Sequence, residues 1–138
     1  MNINNIIGPR VLPGRFDFSK GINLVRVAAG LFYVPHVLFK LNGIAGAEKF
    51  FGSVGLKPAL FFVILALITE SLSAIGLTFG LYARWSGLLS AGCLLVASYA
   101  TIVSHGLGWY WSGGGIEYLV MWAIISLAVS ISAFKSGQ

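Results

Sequence analysis

Four runs of about twenty mostly apolar residues constrain this chain more than any motif in it. They extend from Gly21 to Leu41, Pro58 to Tyr82, Arg84 to His105 and Gly114 to Phe134. Each is near the length that crosses about 30 Å of hydrocarbon as an α-helix. Backbone polar groups have no partner in lipid other than the chain's own, so the runs are expected to be helices. With short loops between them they predict an all-α integral membrane fold, a four-transmembrane-helix up-and-down bundle. Composition agrees: 57% of the 138 residues are hydrophobic and 9% charged, with mean hydropathy +0.88, whereas soluble domains average about 25% charged residues.

The rest of the chain organises around those spans. Residues 1–20 are mixed and polar, with Arg10, Pro13, Gly14, Arg15, Asp17 and Lys20, and are expected to form a cytoplasmic N-terminal tail. Residues 21–134 make the transmembrane domain and 135–138 a C-terminal tail. Ala45-Gly46-Ala47 resembles a signal cleavage site, but Arg26, His36 and Lys40 interrupt any signal core, so the first helix is expected to be retained. The longest connection, "NGIAGAEKFFGSVGLK" from Asn42 to Lys57, pairs Phe50 and Phe51 with Glu48 and Lys49. This pattern predicts a short interfacial half-helix between helices one and two.

Charge sets the expected orientation. The net charge of +5 comes from nine scattered Lys and Arg residues, and no basic stripe suited to nucleic acid forms. Arg10, Arg15, Lys20, Arg84 and Lys135 fall on the side of both termini, against Lys49 and Lys57 opposite, joined by Lys40 if it snorkels outward. Positive residues favour the cytoplasm, so both termini are expected there. Trp109, Tyr110 and Trp111 in the uncharged third loop suit the opposite headgroup boundary. One cysteine, Cys93, excludes an intramolecular disulfide or a CxxC pair, so redox chemistry would need a bound cofactor or a partner.

Polar residues inside the spans are the candidates for function. At 1.5 Å rise per residue, Arg26 lies roughly 22 Å below the outer end of helix one and Glu70 roughly 18 Å below that of helix two, which predicts a structural ion pair or part of a proton or ligand path. His36 at roughly 7 Å, Glu117 at roughly 4 Å and His105 at the end of helix three share the outer leaflet, with Lys40 at the rim. Two imidazoles and a carboxylate at one depth suit a quinone, haem or metal, or a polar network that fixes helix register. Arg26, Gly30, Tyr33, His36 and Lys40 lie on one face of helix one, which should look into the bundle. Pro35 cannot donate to the carbonyl of residue 31 and should bend that helix. Gly76 and Ser73 on helix two, and Gly87 and Ser90 on helix three, mark close helix contacts.

These motifs, in this order, resemble the DoxX family over about residues 22 to 130. The resemblance rests on "RVAAGLFYVPHVLFKL" at Arg26 to Leu41, "AEKFFGSVGLKPAL" at Ala47 to Leu60, "ESLSAIGLTFGLYAR" at Glu70 to Arg84, then His105 and "GGGIEY" at Gly113 to Tyr118. It implies a four-helix bacterial inner-membrane protein similar to the DoxD-type subunit of thiosulfate:quinone oxidoreductase. By position, its polar set is Arg26, His36, Lys40, Glu70, His105 and Glu117. The expected function is that of a membrane subunit in a quinone-linked redox system, binding a quinone-like ring near the outer leaflet. His36, His105 and Glu117 would be catalytic, with Lys40, Phe39, Trp109, Tyr110 and Tyr118 around the ring. No metal is expected. Partners would be the bilayer, other membrane or redox subunits, or a second copy of the chain. The alternatives are a non-catalytic accessory subunit, and a b-type haem protein with His36 and His105 as axial ligands.

Overall fold

In a computed structural model, described over residues 6–136, the chain is all-helical. The first five and last two residues of the expected tails lie outside that range. The helices are α1 Gly21–Leu31, α2 Tyr33–Asn42, α3 Ile44–Ser53, α4 Ala59–Phe79, α5 Ala83–His105 and α6 Glu117–Lys135. Four stretches are long and apolar enough to cross a membrane: Gly21–Asn42, which joins α1 and α2, then α4, α5 and α6. Their ends sit within a few residues of the runs read from the sequence. Leu24, Phe61, Leu95, Met121 and Ile131 are exposed around the outside of the bundle, as side chains that face lipid should be. "Lower" below means the end near Gly21, Phe79, Ala83 and Lys135, and "upper" the opposite end.

The break between α1 and α2 falls at Phe32, one residue after Leu31. Leu31 is the residue whose carbonyl Pro35 cannot reach with an N–H, so the interruption lies where the proline places it. Small residues then set the helix contacts. A methyl group on Gly30 would lie 2.6 Å from the backbone nitrogen of Thr78, and one on Gly87 would lie 2.6 Å from the carbonyl oxygen of Ser126. α1 therefore touches α4, and α5 touches α6, almost backbone to backbone. Ser90 continues the second contact, its hydroxyl 2.7 Å from that of Ser126.

The lower end is closed by two buried arginines. Arg26 is fully buried and donates to the carbonyl oxygens of Leu77, Thr78 and Arg15. Leu77 and Thr78 are in the last turn of α4, where carbonyls have no helical partner and the helix dipole is negative, so the guanidinium caps the helix. Arg84 does the same for α6, donating to the carbonyl of Ala133 at 3.2 Å while lying 4.9 Å from the Phe134 ring centre. The N-terminal segment straps across these ends: Leu12 donates to the carbonyl of Gly80, Tyr82 donates to that of Arg10, and the Trp85 indole to that of Ile7. The Asn23 side chain holds the carbonyls of Gly14 and Asp17. At the surface beside it, the Ser19 hydroxyl donates to the Asp17 carboxylate and holds its pKa below the usual value.

The expected Arg26–Glu70 ion pair does not form, and side-chain direction explains why. Side chains lean toward the N-terminus of their own helix. α1 rises and α4 descends, so Arg26 leans down toward the end of α4 while Glu70 leans up and away from it. Arg26 instead meets Leu77 and Thr78, about 11 Å below Glu70 along α4.

Candidate functional site

Glu70, leaning up, meets Lys40, leaning down. The Lys40 ammonium lies 3.0 and 2.9 Å from the two carboxylate oxygens, and each side chain is only about 15% exposed. Lys40 thus points into the bundle, not outward to the membrane surface. The pair borders a chamber of about 1110 Å³ enclosed by α2, α3, α4 and α5, with α6 at one edge. Its walls are chiefly apolar, with Phe50 and Phe51 of α3 above and Phe62, Leu65, Ala97 and Ala100 at the sides. The half-helix expected from the Asn42 to Lys57 connection is α3, which covers the chamber. Val54, just beyond α3, accepts a hydrogen bond from the Tyr99 hydroxyl at 3.0 Å, which fastens this cover to α5.

The polar lining follows one face of helix one. Tyr33, His36 and Lys40 recur at spacings of three and four and all line the chamber. The His36 ring lies 5.7 Å from that of Trp122, and Tyr33 lies 4.4 Å from the same indole. The Tyr33 hydroxyl is 2.8 Å from Ser90 Oγ, and Ser126 Oγ donates to the carbonyl of Trp122 at 3.0 Å. With the Ser90 to Ser126 contact, this makes a buried relay that ties α2, α5 and α6 beneath the chamber. The relay holds the Tyr33 side chain, and the Trp122 indole packs between the rings of Tyr33 and His36.

The expected upper cluster divides. His36, Lys40, Phe39 and Tyr118 line the chamber together with Glu70. His105, Glu117, Trp109 and Tyr110 do not. His105 is exposed, with Nδ1 2.8 Å from Ser104 Oγ. Glu117, the first residue of α6, accepts a hydrogen bond from the Trp111 backbone N–H at 3.1 Å, which organises the loop rather than the chamber. Trp109 and Tyr110 are exposed at the upper boundary. His105 continues the α5 stripe of Ala97 and Thr101, which line the chamber, but sits one turn above Thr101 at the end of the helix. His36 lines the chamber and His105 does not.

Thr69 and Cys93 also line the chamber beside the ion pair. From the sequence, Cys93 served only to exclude an intramolecular disulfide or a CxxC pair. The signal for Lys40 with Glu70 was present in the opposed lean of side chains on antiparallel helices; the signal for α3 as a cover lay in its two adjacent phenylalanines.

Comparison with known proteins agrees with this architecture. The DoxX family model matches residues 21–106, which hold α1 to α5, Arg26, His36, Lys40, Glu70 and His105. A Bacillus subtilis (strain 168) protein named "Putative oxidoreductase CatD" is 34% identical over 119 residues, covering 86% of this chain and 84% of that protein. No solved structure gives a significant match. With four apolar spans of the right length and a family match over most of them, the chain is a multi-pass membrane protein belonging to the DoxX family.

Proposed function

We propose that the chamber under α3 binds a quinone-like ring, and that the chain is the membrane subunit of a quinone-linked redox system in the bacterial cytoplasmic membrane. The observation that carries this reading is the Lys40–Glu70 pair, bonded at 2.9 Å, facing an apolar chamber of about 1110 Å³ with His36 one turn away. Apolar walls with a few convergent polar groups are the usual form of a small-molecule site. The relative's name supports redox work for this chain as well.

The residues suit such a ring. The Lys40 ammonium has three donors, so it can keep its contact with Glu70 and still donate to a ring carbonyl. His36, held against Trp122, offers an imidazole that can donate to a second oxygen and hold or release a proton. Glu70 holds the Lys40 side chain inward through both carboxylate oxygens. When bound, a quinone supplies two-electron, two-proton carriage; the electrons would come from a partner redox protein. The lower end, with Arg10, Arg15, Lys20, Arg84 and Lys135 against Lys49 and Lys57 above, would face the cytoplasm.

The test is a titration of the detergent-purified protein with a short-chain benzoquinone, followed by tryptophan fluorescence. His36→Ala and Lys40→Met should each weaken binding about tenfold, roughly 1.4 kcal/mol, while His105→Ala leaves it unchanged. A wild-type protein that binds no quinone, or a His36→Ala protein that binds it as well as wild type, overturns the reading and leaves the chain a structural subunit.

A further inference from the structure

The chamber does not end at its floor on every side. A second cavity of about 720 Å³ lies lower on the bundle between α4 and α5, and Leu88 and Leu89 form part of the wall of both. The two helices supply matched stripes. On α5, Trp85, Leu88, Leu89 and Gly92 stand at spacings of three, four and seven; on α4, Thr69, Leu72 and Gly76 do the same. Each stripe begins among residues lining the chamber and ends among residues lining the lower cavity.

Gly92 marks the junction. It sits mid-helix, where glycine costs about 0.5–1 kcal/mol relative to alanine, yet a methyl group added there would meet no atom within 4 Å. Unlike Gly30 and Gly87, it brings no helix close. It leaves open space on the stripe that leads down to Leu88. From Gly92 to Trp85 the seam falls about 10 Å, and Leu72, Ile75, Tyr82 and Trp85 along it are exposed to the lipid side.

We propose that the α4–α5 seam is the binding groove for the hydrocarbon tail of the ligand whose ring occupies the chamber, so that the ligand is a long-chain, prenyl-type quinone reaching its site sideways from the bilayer. This rests on the quinone reading of the chamber and adds the tail, its path and its direction of approach. The ring remains at the polar upper end beside Lys40 and His36, while the chain passes Gly92 and Leu88 into the lower cavity. Such a chain is as soluble in lipid as in the groove, so the seam contributes packing and orientation more than transfer energy.

The experiment compares wild type with Leu72→Trp and Ile75→Trp, which narrow the seam from the α4 side and line only the lower cavity; both native residues are exposed to lipid, so a larger apolar side chain is compatible with folding. The probes are 2,3-dimethoxy-5-methyl-1,4-benzoquinone, the same ring bearing a decyl chain, and decyl alcohol. Comparing proteins at a fixed probe cancels partition into the detergent. Each variant should weaken the decyl quinone about tenfold and leave the tail-free ring unchanged. Equal weakening of both quinones, or of neither, overturns the seam assignment while leaving the chamber reading in place. Binding of decyl alcohol and decyl quinone alike, both lost in Leu72→Trp, with no binding of the free ring, supports the seam and overturns the quinone reading. Failure of every probe to bind wild type overturns both.

Discussion

The two ends of the bundle treat a buried cation in opposite ways. At the lower end Arg26, fully buried, is held among the described residues by carbonyl oxygens, and the backbone closes around it. At the upper end Lys40 has a full carboxylate partner and still faces open space. A guanidinium with five donors in a plane can satisfy several fixed carbonyls at once, whereas an ammonium is a point charge with donors to spare. The first arrangement spends its hydrogen bonds on helix ends and leaves no room for a ligand. The second keeps a charged, desolvated pair next to a space large enough to hold one. Intramembrane charge is a reason to suspect function, but the chemistry of the partner and the space beside it decide between structure and site.

That contrast breaks most visibly at Arg26. Arg26→Met removes the guanidinium from the end of α4 and takes the donor from the carbonyls of Thr78 and Arg15, while Leu77 keeps the Gly80 N–H. The loss should be about 3 kcal/mol, the scale of leaving buried carbonyls without their charged donor, read as a large fall in thermal midpoint in detergent. Quinone binding by whatever fraction remains folded should be unaltered. A variant that is stable but no longer binds would put Arg26 in the site and abolish the distinction between the two ends.

How far this was legible beforehand differs between the same two regions. The spans, the break before Pro35 and the close contacts at Gly87 and Ser90 follow from hydrocarbon thickness, a missing N–H and residue size, all of which act along or directly across a helix. The partner of Arg26 was misjudged because depth arithmetic treats a side chain as a point beside its Cα. Arg26 and Glu70 lean apart, and the long stem of Lys40 covers the distance that depth alone seemed to forbid. His105 and Glu117 were grouped with His36 because depth counting does not resolve the single turn that carries His105 above Thr101, the uppermost residue of α5 lining the chamber. The chamber itself depends on α3 lying over the bundle, and a half-helix of ten residues carries too little apolar pattern to announce what it covers.

A smaller effect sharpens the upper end. Glu70→Gln leaves Lys40 charged beside an apolar space with only a neutral amide for company. It should lower stability by about 2 kcal/mol, less than Arg26→Met because the amide oxygen still accepts one hydrogen bond. Exchanging the charges, Lys40→Glu with Glu70→Lys, should restore much of that stability, since the pair is reconstituted. It should not restore quinone binding, because the ammonium then rises from α4 and no longer shares a helix face with His36. If the exchanged protein binds normally, the chamber needs only a charge pair and not Lys40 in its place.

The smallest effect compares two glycines five residues apart on α5. Gly87 is pressed against Ser126, and Gly92 faces nothing within 4 Å. Gly87→Ala forces a methyl into the α5–α6 backbone contact and should cost about 1 kcal/mol or more, as overpacking does. Gly92→Ala should instead raise stability by about 0.5 kcal/mol, because alanine loses less backbone freedom in a helix and its methyl projects into free space. The measurement is the difference in thermal midpoint between the two variants in one detergent, where the sign matters more than the size. Destabilisation by both would mean that the seam at Gly92 closes in the membrane-solubilised protein, and with it the route from chamber to lower cavity. Opposite signs would show that α5 is tight where Gly87 meets α6 and open at Gly92, above the close contact of Gly76 with Ser86 that joins α4 to α5.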